Sequence, residues 1–205
     1  MTNISNRTIT VAMTGASGAD YGLRLIQLLI ESGVTINLLI SKPGQLVINL
    51  ETDIKLPAKV QEIKKFLSLQ YRAKENQLMV FGQDQWTAAI ASGSGVADAM
   101  VICPCTMGTL AAVANGLSSN LIERAADVSL KERKPLILVP RESPFSSIHL
   151  ENMLRLSNAG AVILPPNPGF YQKPKTINDI IDFVVARILD QLSITHQLIP
   201  RWGKS

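Results

Sequence analysis

"VAMTGASGADYGLRL", residues 11–25, decides how this sequence folds. An apolar run leads into Thr14–Gly18, where two glycines, an alanine and two small hydroxyl residues leave almost no side-chain bulk. Apolar residues then recur at helical spacing. Strand, small-residue turn and helix form the opening unit of an α/β sheet. Small residues let backbone N–H groups approach an anion at the helix's amino end, and Ser17 suits an N-cap. The same residues equally suit a tight turn that needs glycine for its backbone alone. The spacing is not G-x-G-x-x-G, and the second strand ends in Ser41-Lys42 without the acidic residue that grips a dinucleotide ribose. Both features speak against NAD and leave a mononucleotide open.

Outward from that unit, strand and helix alternate. Strands are predicted at "TITVAMT", "VTINLLIS", "QLMVF", "ADAMVICP", "PLILVP" and "GAVILPP". Helices are predicted over "ADYGLRLIQLLIES", 43–52, 58–69, 106–115, 120–132, 146–158 and "TINDIIDFVVARILDQL". Short apolar strands between amphipathic helices imply a doubly wound, mostly parallel sheet in three α/β/α layers, with residues 1–205 as one domain. Ligands of such sheets sit beyond the strands' carboxyl ends. The segments to weigh are therefore "TGASG", "SKPGQ", "PCTMGT", "PRESPF" and "PPNPGFY".

Composition removes several classes. The chain is 46% hydrophobic and 18% charged, ample for a large core. The net charge of +4 comes without a dense basic run and with only 5% aromatics, unlike a nucleic-acid surface. It suits a phosphorylated small molecule. No apolar stretch is long enough to span a bilayer, and the polar "MTNISNRTIT" reads as neither signal nor anchor. The two cysteines, Cys103 and Cys105, are read as reduced core residues facing opposite ways, which fits a cytoplasmic protein. Two cysteines and two histidines are too few for a zinc site.

Several side chains stand where ligands bind. Thr106 is a plausible N-cap and Thr109 lies in the first turn after it; their hydroxyls suit a phosphate or flavin edge, or ordinary capping. Arg141 and Glu142 follow a strand directly; arginine suits bidentate phosphate binding and glutamate proton handling, though they also suit an ion pair. Glu123, Arg124, Asp127 and Lys131 are spaced as a surface ladder. Arg187 neighbours Phe183, Val184 and Ile188 and needs a partner, either an internal carboxylate or a bound phosphate. Tyr171 ends a proline-stiffened loop, and Trp86 precedes a second glycine-serine turn.

Taken together, "TGASGADYG", "ASGSG", "CPCTMGTLAAVANG", the block from Asn120 to Tyr171 and "DFVVARILDQL" resemble the flavin prenyltransferase family, over nearly the whole chain. The resemblance implies a flavodoxin-like fold in a homododecamer, with flavin held where subunits meet. It implies transfer of the dimethylallyl group of dimethylallyl phosphate to N5 and C6 of reduced FMN, without a metal. The product would serve a UbiD-type decarboxylase, in quinone biosynthesis or aromatic-acid breakdown. Carried onto this sequence, Gly15, Ala16, Ser17, Ser41, Thr106, Met107, Gly108, Thr109 and Arg141 would bind FMN. Arg124, Lys131, Glu142, Tyr171 and Arg187 would bind the prenyl phosphate. Ser17, Glu51, Trp86, Arg124, Lys131 and Glu142 would act in catalysis. Lys131 would then act across a subunit boundary. Thr106 keeps the hydroxyl of a frequent serine, while Ser119 and Lys42 replace a common aspartate and alanine. A non-catalytic FMN-binding protein is the alternative. The related cysteine-derivative decarboxylases use an early histidine, and none precedes His149 here.

Overall fold

The structure, a computed structural model, describes residues 7–200 and Gly203. The sequence reading of the amino terminus falls in part on residues 1–6, outside the described ones. Six strands form one sheet: β1 (Thr8–Met13), β2 (Thr35–Ile40), β3 (Leu78–Phe81), β4 (Ala99–Cys105), β5 (Leu136–Pro140) and β6 (Val162–Ile163). Their order is β3-β2-β1-β4-β5-β6, and every pairing is parallel. The central strands are apolar along both faces because helices cover both.

Helices α1 (Ala19–Glu31), α2 (Lys42–Glu51), α3 (Val60–Gln70) and α7 (Ile177–Gln191) contribute to one core layer, with Val11, Leu38, Val101 and Ile137 of the sheet. Helices α4 (Met107–Ala114), α5 (Leu121–Lys131) and α6 (Ser147–Asn158) pack on the other face, over Ala12, Leu39, Ile102 and Leu138. Burying one such aliphatic side chain contributes about 1.5–3 kcal/mol. A partly exposed ion pair contributes about 1 kcal/mol or less. Apolar burial therefore holds the layers, and the Arg24–Asp182 pair at 2.7 Å between α1 and α7 adds a smaller, orienting contribution.

One expectation changes, and another holds for a different reason. The last strand is two residues long, not the seven of "GAVILPP"; Pro165 and Pro166 supply no ladder donors, and only the Leu164 amide extends the pairing, to Leu138 O at 2.8 Å. Cys103 and Cys105 do face opposite layers, although regular alternation would put residues two apart on one face. The register against β5 shifts between Ile102 and Cys105, and that irregularity turns the second thiol over. Burial pushes both thiols well above the usual range.

Candidate active site

The strand order reverses between β1 and β4, and the crevice of a doubly wound sheet opens at that point. Two loops leave the sheet there: Thr14–Gly18 into α1 and Thr106 into α4. Gly15 is glycine for packing, since a Cβ would collide with Pro43 at the start of α2. Gly18 adopts φ 104°, a left-handed conformation that favours glycine. Ser17 is not the cap of α1; Gly18 holds that position. The Glu51 carboxylate does the capping instead, accepting from the Gly18 and Ala19 amides at 2.8 and 3.0 Å. The α1 amino end that the sequence offers as a phosphate cradle is thus filled by the protein's own anion.

Glu51 is the electrostatic centre of this corner. Burial alone would raise its pKa, but the Ser17 hydroxyl, the Ala19 and Gly18 amides and the charge of Arg141 outweigh it and hold the carboxyl below its usual range. Ser17 of the first loop, Glu51 at the end of α2 and Arg141 after β5 therefore share this corner. The neighbouring Asp20 is shifted upward, by burial and then by Glu51.

The second loop keeps its donors open. Thr106 caps α4, accepting from the Thr109 amide at 3.1 Å and donating to the Thr109 hydroxyl at 2.9 Å. Met107 and Gly108 occupy the first turn, where amides have no intrahelical acceptor. A Cβ on Gly108 would meet only Thr106 Oγ1, at 4.0 Å, so that side of the turn is open. The amides of Gly15, Ala16 and Ser17 also donate to no described residue. Two strips of N–H groups that donate to no described residue, the second open above Gly108, fit the polar edge and phosphate of a flavin mononucleotide.

Arg141 and Glu142 leave β5 beside these strips; the Arg141 amide donates to Cys105 O at 3.3 Å. With Phe145, Pro165 and Asn167 they line a cleft of about 340 Å³. Larger clefts, of about 490 and 520 Å³, lie between α1 and α7 and beside β3; none of the nominated site residues lines either. Ser41 is buried at the same edge, its amide on Met13 O at 3.0 Å and its hydroxyl capping α2 through Gly44 N at 3.0 Å.

The remaining nominated residues stand apart within one chain. Trp86 lies beyond β3, 47% exposed. Arg124 donates to Ala91 O at 2.9 Å and pairs with Asp127 at 2.8 Å. The α5 helix starts at the carboxyl edge, where the Leu121 amide meets Gln83 O, and runs to the amino edge, where Pro135 meets Met100. Lys131 ends that helix and pairs with Glu132, so the predicted ladder stops at Asp127. Arg187 sits toward the amino-edge end of α7, whose end is tied to Arg7; it is exposed and pairs with Asp190 at 2.6 Å rather than lying in the apolar stripe. Tyr171 packs edge-on against Phe183, ring centres 5.8 Å apart. The sequence reading gave no role to Thr14, whose buried hydroxyl ties the two loops together; a threonine directly after β1 was its only signal.

The fold and its open-amide crevice define a flavoprotein of the doubly wound α/β class, and the Flavoprotein family matches residues 1–189. The chain is 61% identical over 196 residues to the flavin prenyltransferase UbiX of Pseudomonas aeruginosa, covering 96% of this chain and 94% of the relative. It belongs to the UbiX family of flavin prenyltransferases. AnUbiX (PadA1), solved in complex with FMN and dimethylallyl pyrophosphate, superposes with a TM-score of 0.86 at 41% identity, covering 97% of this chain and 98% of that one. A dodecameric FMN-dependent UbiX-like decarboxylase from Escherichia coli O157:H7 gives 0.84 at 41% identity, covering 97% and 100%. Among the described residues no cluster of three or more His, Cys, Asp or Glu could hold a metal, and no helix is long and apolar enough to cross a membrane.

Proposed function

We propose that this chain is a flavin prenyltransferase that joins the dimethylallyl group of dimethylallyl phosphate to N5 and C6 of reduced FMN. Phosphate is released, and the prenylated flavin serves a UbiD-type decarboxylase. The observation that carries the reading is 61% identity with a flavin prenyltransferase along nearly the whole of both chains. A 41% identical neighbour that holds FMN together with dimethylallyl pyrophosphate supports pairing a flavin with a phosphorylated dimethylallyl donor. Because the curated relatives are named as enzymes, catalysis is favoured over a non-catalytic FMN-binding role.

Reduced FMN enters as the prenyl acceptor and supplies the nucleophilic N5 and C6. The amides of Gly15, Ala16, Ser17, Met107 and Gly108, the Thr106–Thr109 hydroxyls, Ser41 and Arg141 hold it. Breaking the allylic C–O bond builds negative charge on phosphate; preorganised arginine, lysine and phenol donors stabilise it there. Arg124, Lys131, Tyr171 and Arg187 are those donors, and Trp86 shelters the developing allylic cation with its ring face. Ser17 and Glu51 sit at the reacting edge. Glu142 or the released phosphate takes the C6 proton.

Lys131 and Arg187 point to an assembled site, because both lie far along helices that lead away from their own carboxyl edge. We read them as reaching the crevice of a neighbouring copy in a homododecamer, the form described for the Escherichia coli neighbour. The chain acts as one domain in the cytoplasm. Anaerobic phosphate release tests the reading: it should require both reduced FMN and dimethylallyl phosphate. Release at the rate of protein-free solution would refute it.

A further inference from the structure

We propose that Thr14 is a positioning residue whose hydroxyl sets the spacing between the two flavin-holding loops. The inference rests on the flavin-binding reading of this edge. Regular pairing of β1 with β4 ends at Ala12–Ile102. Two residues on, Pro104 brings no N–H to the ladder. Thr14 takes over the connection with three bonds. Its amide and its hydroxyl both donate to Pro104 O, at 3.1 and 2.9 Å, and its hydroxyl oxygen accepts from the Thr106 amide at 2.8 Å.

Both cradle strips start from that oxygen. Gly15, Ala16 and Ser17 follow Thr14 directly along the chain. Thr106 carries the cap that fixes Met107, Gly108 and Thr109, and its own amide is held by Thr14. The residue is 3% exposed, so bulk water has little access to a lost partner. Valine would keep the shape and strand the Thr106 N–H; serine would keep the oxygen.

The test compares Thr14→Val and Thr14→Ser with Val11→Ala, a core substitution on the same strand that touches neither loop. FMN affinity is read by flavin fluorescence, fold by thermal melting, and turnover with dimethylallyl phosphate at saturating flavin. Thr14→Val should weaken FMN binding about tenfold or more, and Thr14→Ser should restore it to within about threefold. The KM for dimethylallyl phosphate should not move. Val11→Ala should bind FMN normally despite a lowered melting temperature. If Thr14→Val yields no folded protein, Thr14→Ala carries the same comparison. A hydroxyl-free variant that binds FMN like the wild type overturns the inference, as does an equal loss in Val11→Ala. Wild-type protein that binds no FMN overturns this inference together with the functional reading beneath it.

Discussion

Glu51 Oε2 accepts the Ala19 amide at 3.0 Å, so the last residue of α2 closes the first turn of α1. A carboxylate at a helix amino end is stabilised by the helix dipole and the free amides. The consequence for function is exclusion: the Gly18 and Ala19 amides are taken, and under the proposed function a ligand phosphate uses the amides of Gly15–Ser17 and the start of α4. The consequence for stability is a pH dependence of definite sign. The folded pKa lies below the ordinary glutamate value of 4.5. The stabilisation is thus complete above that value and is lost as pH falls through the folded pKa.

Glu51→Gln should therefore lower stability at pH 7 by about 0.5–1 kcal/mol, at the modest end because the residue is exposed. The gap to wild type should close as pH drops toward 3. Urea melts across pH 3–7 check this, and a gap that stays constant down to the acid end would contradict it.

Glu142 lines the cleft with Arg141 and is exposed, its side chain accepting the Ser143 amide at 3.2 Å. Glu142→Gln should cut kcat by about 10²–10⁴-fold while FMN affinity stays near wild type. Loss of flavin binding in parallel with turnover would make it a cofactor ligand instead.

Lys131 ends a helix that leads away from its own crevice. Alone, Lys131→Ala and Glu142→Gln proteins should each turn over at no more than about a hundredth of the wild-type rate. Mixed under conditions that let subunits exchange, they should regain about a quarter of the wild-type rate, the random share for a site built by two copies. Mixing without recovery would place Lys131 on the same chain as its site or outside it.

Cys103 and Cys105 lie fully buried in different layers, and burial keeps both thiols protonated. Thiol-specific reagents should leave the native protein unlabelled and titrate two groups after denaturation. Fast labelling of native protein would mean that β4 opens.

The Arg24 guanidinium meets the two oxygens of Asp182 at 2.7 and 3.1 Å, docking α7 on α1. Arg24→Ala should cost about 1 kcal/mol, read as a lower urea midpoint. With Asp182→Ala the double-mutant cycle should show coupling; simple additivity would contradict it.

The fold was largely legible because its signals are local. Apolar runs such as "TITVAMT" and helical spacing such as that of Leu23, Ile26 and Ile30 placed every strand and α-helix to within about two residues, β6 apart, while the short 3-10 turns at Ala89–Ala91 and Gly93–Gly95 carried no such signal. The candidate site was legible as positions after strands: Gly15–Ser17, Thr106–Thr109, Arg141 and Glu142 lie together at the carboxyl edge. Its connections were not. Glu51 caps α1 from 32 residues away, and Thr14 meets Pro104 and Thr106 across some 90 residues. No periodicity carries pairings of that separation. The register shift that separates Cys103 from Cys105 is equally a product of the neighbouring strand. Arg187 misled because a helical wheel shows apolar neighbours without showing which side solvent takes.

The most direct measurement is the mass of the flavin recovered after anaerobic incubation of purified protein with reduced FMN and dimethylallyl phosphate. The expected product is a flavin heavier than FMN by one isoprene unit. Recovery of FMN unchanged, from protein shown to have bound it, would contradict the account.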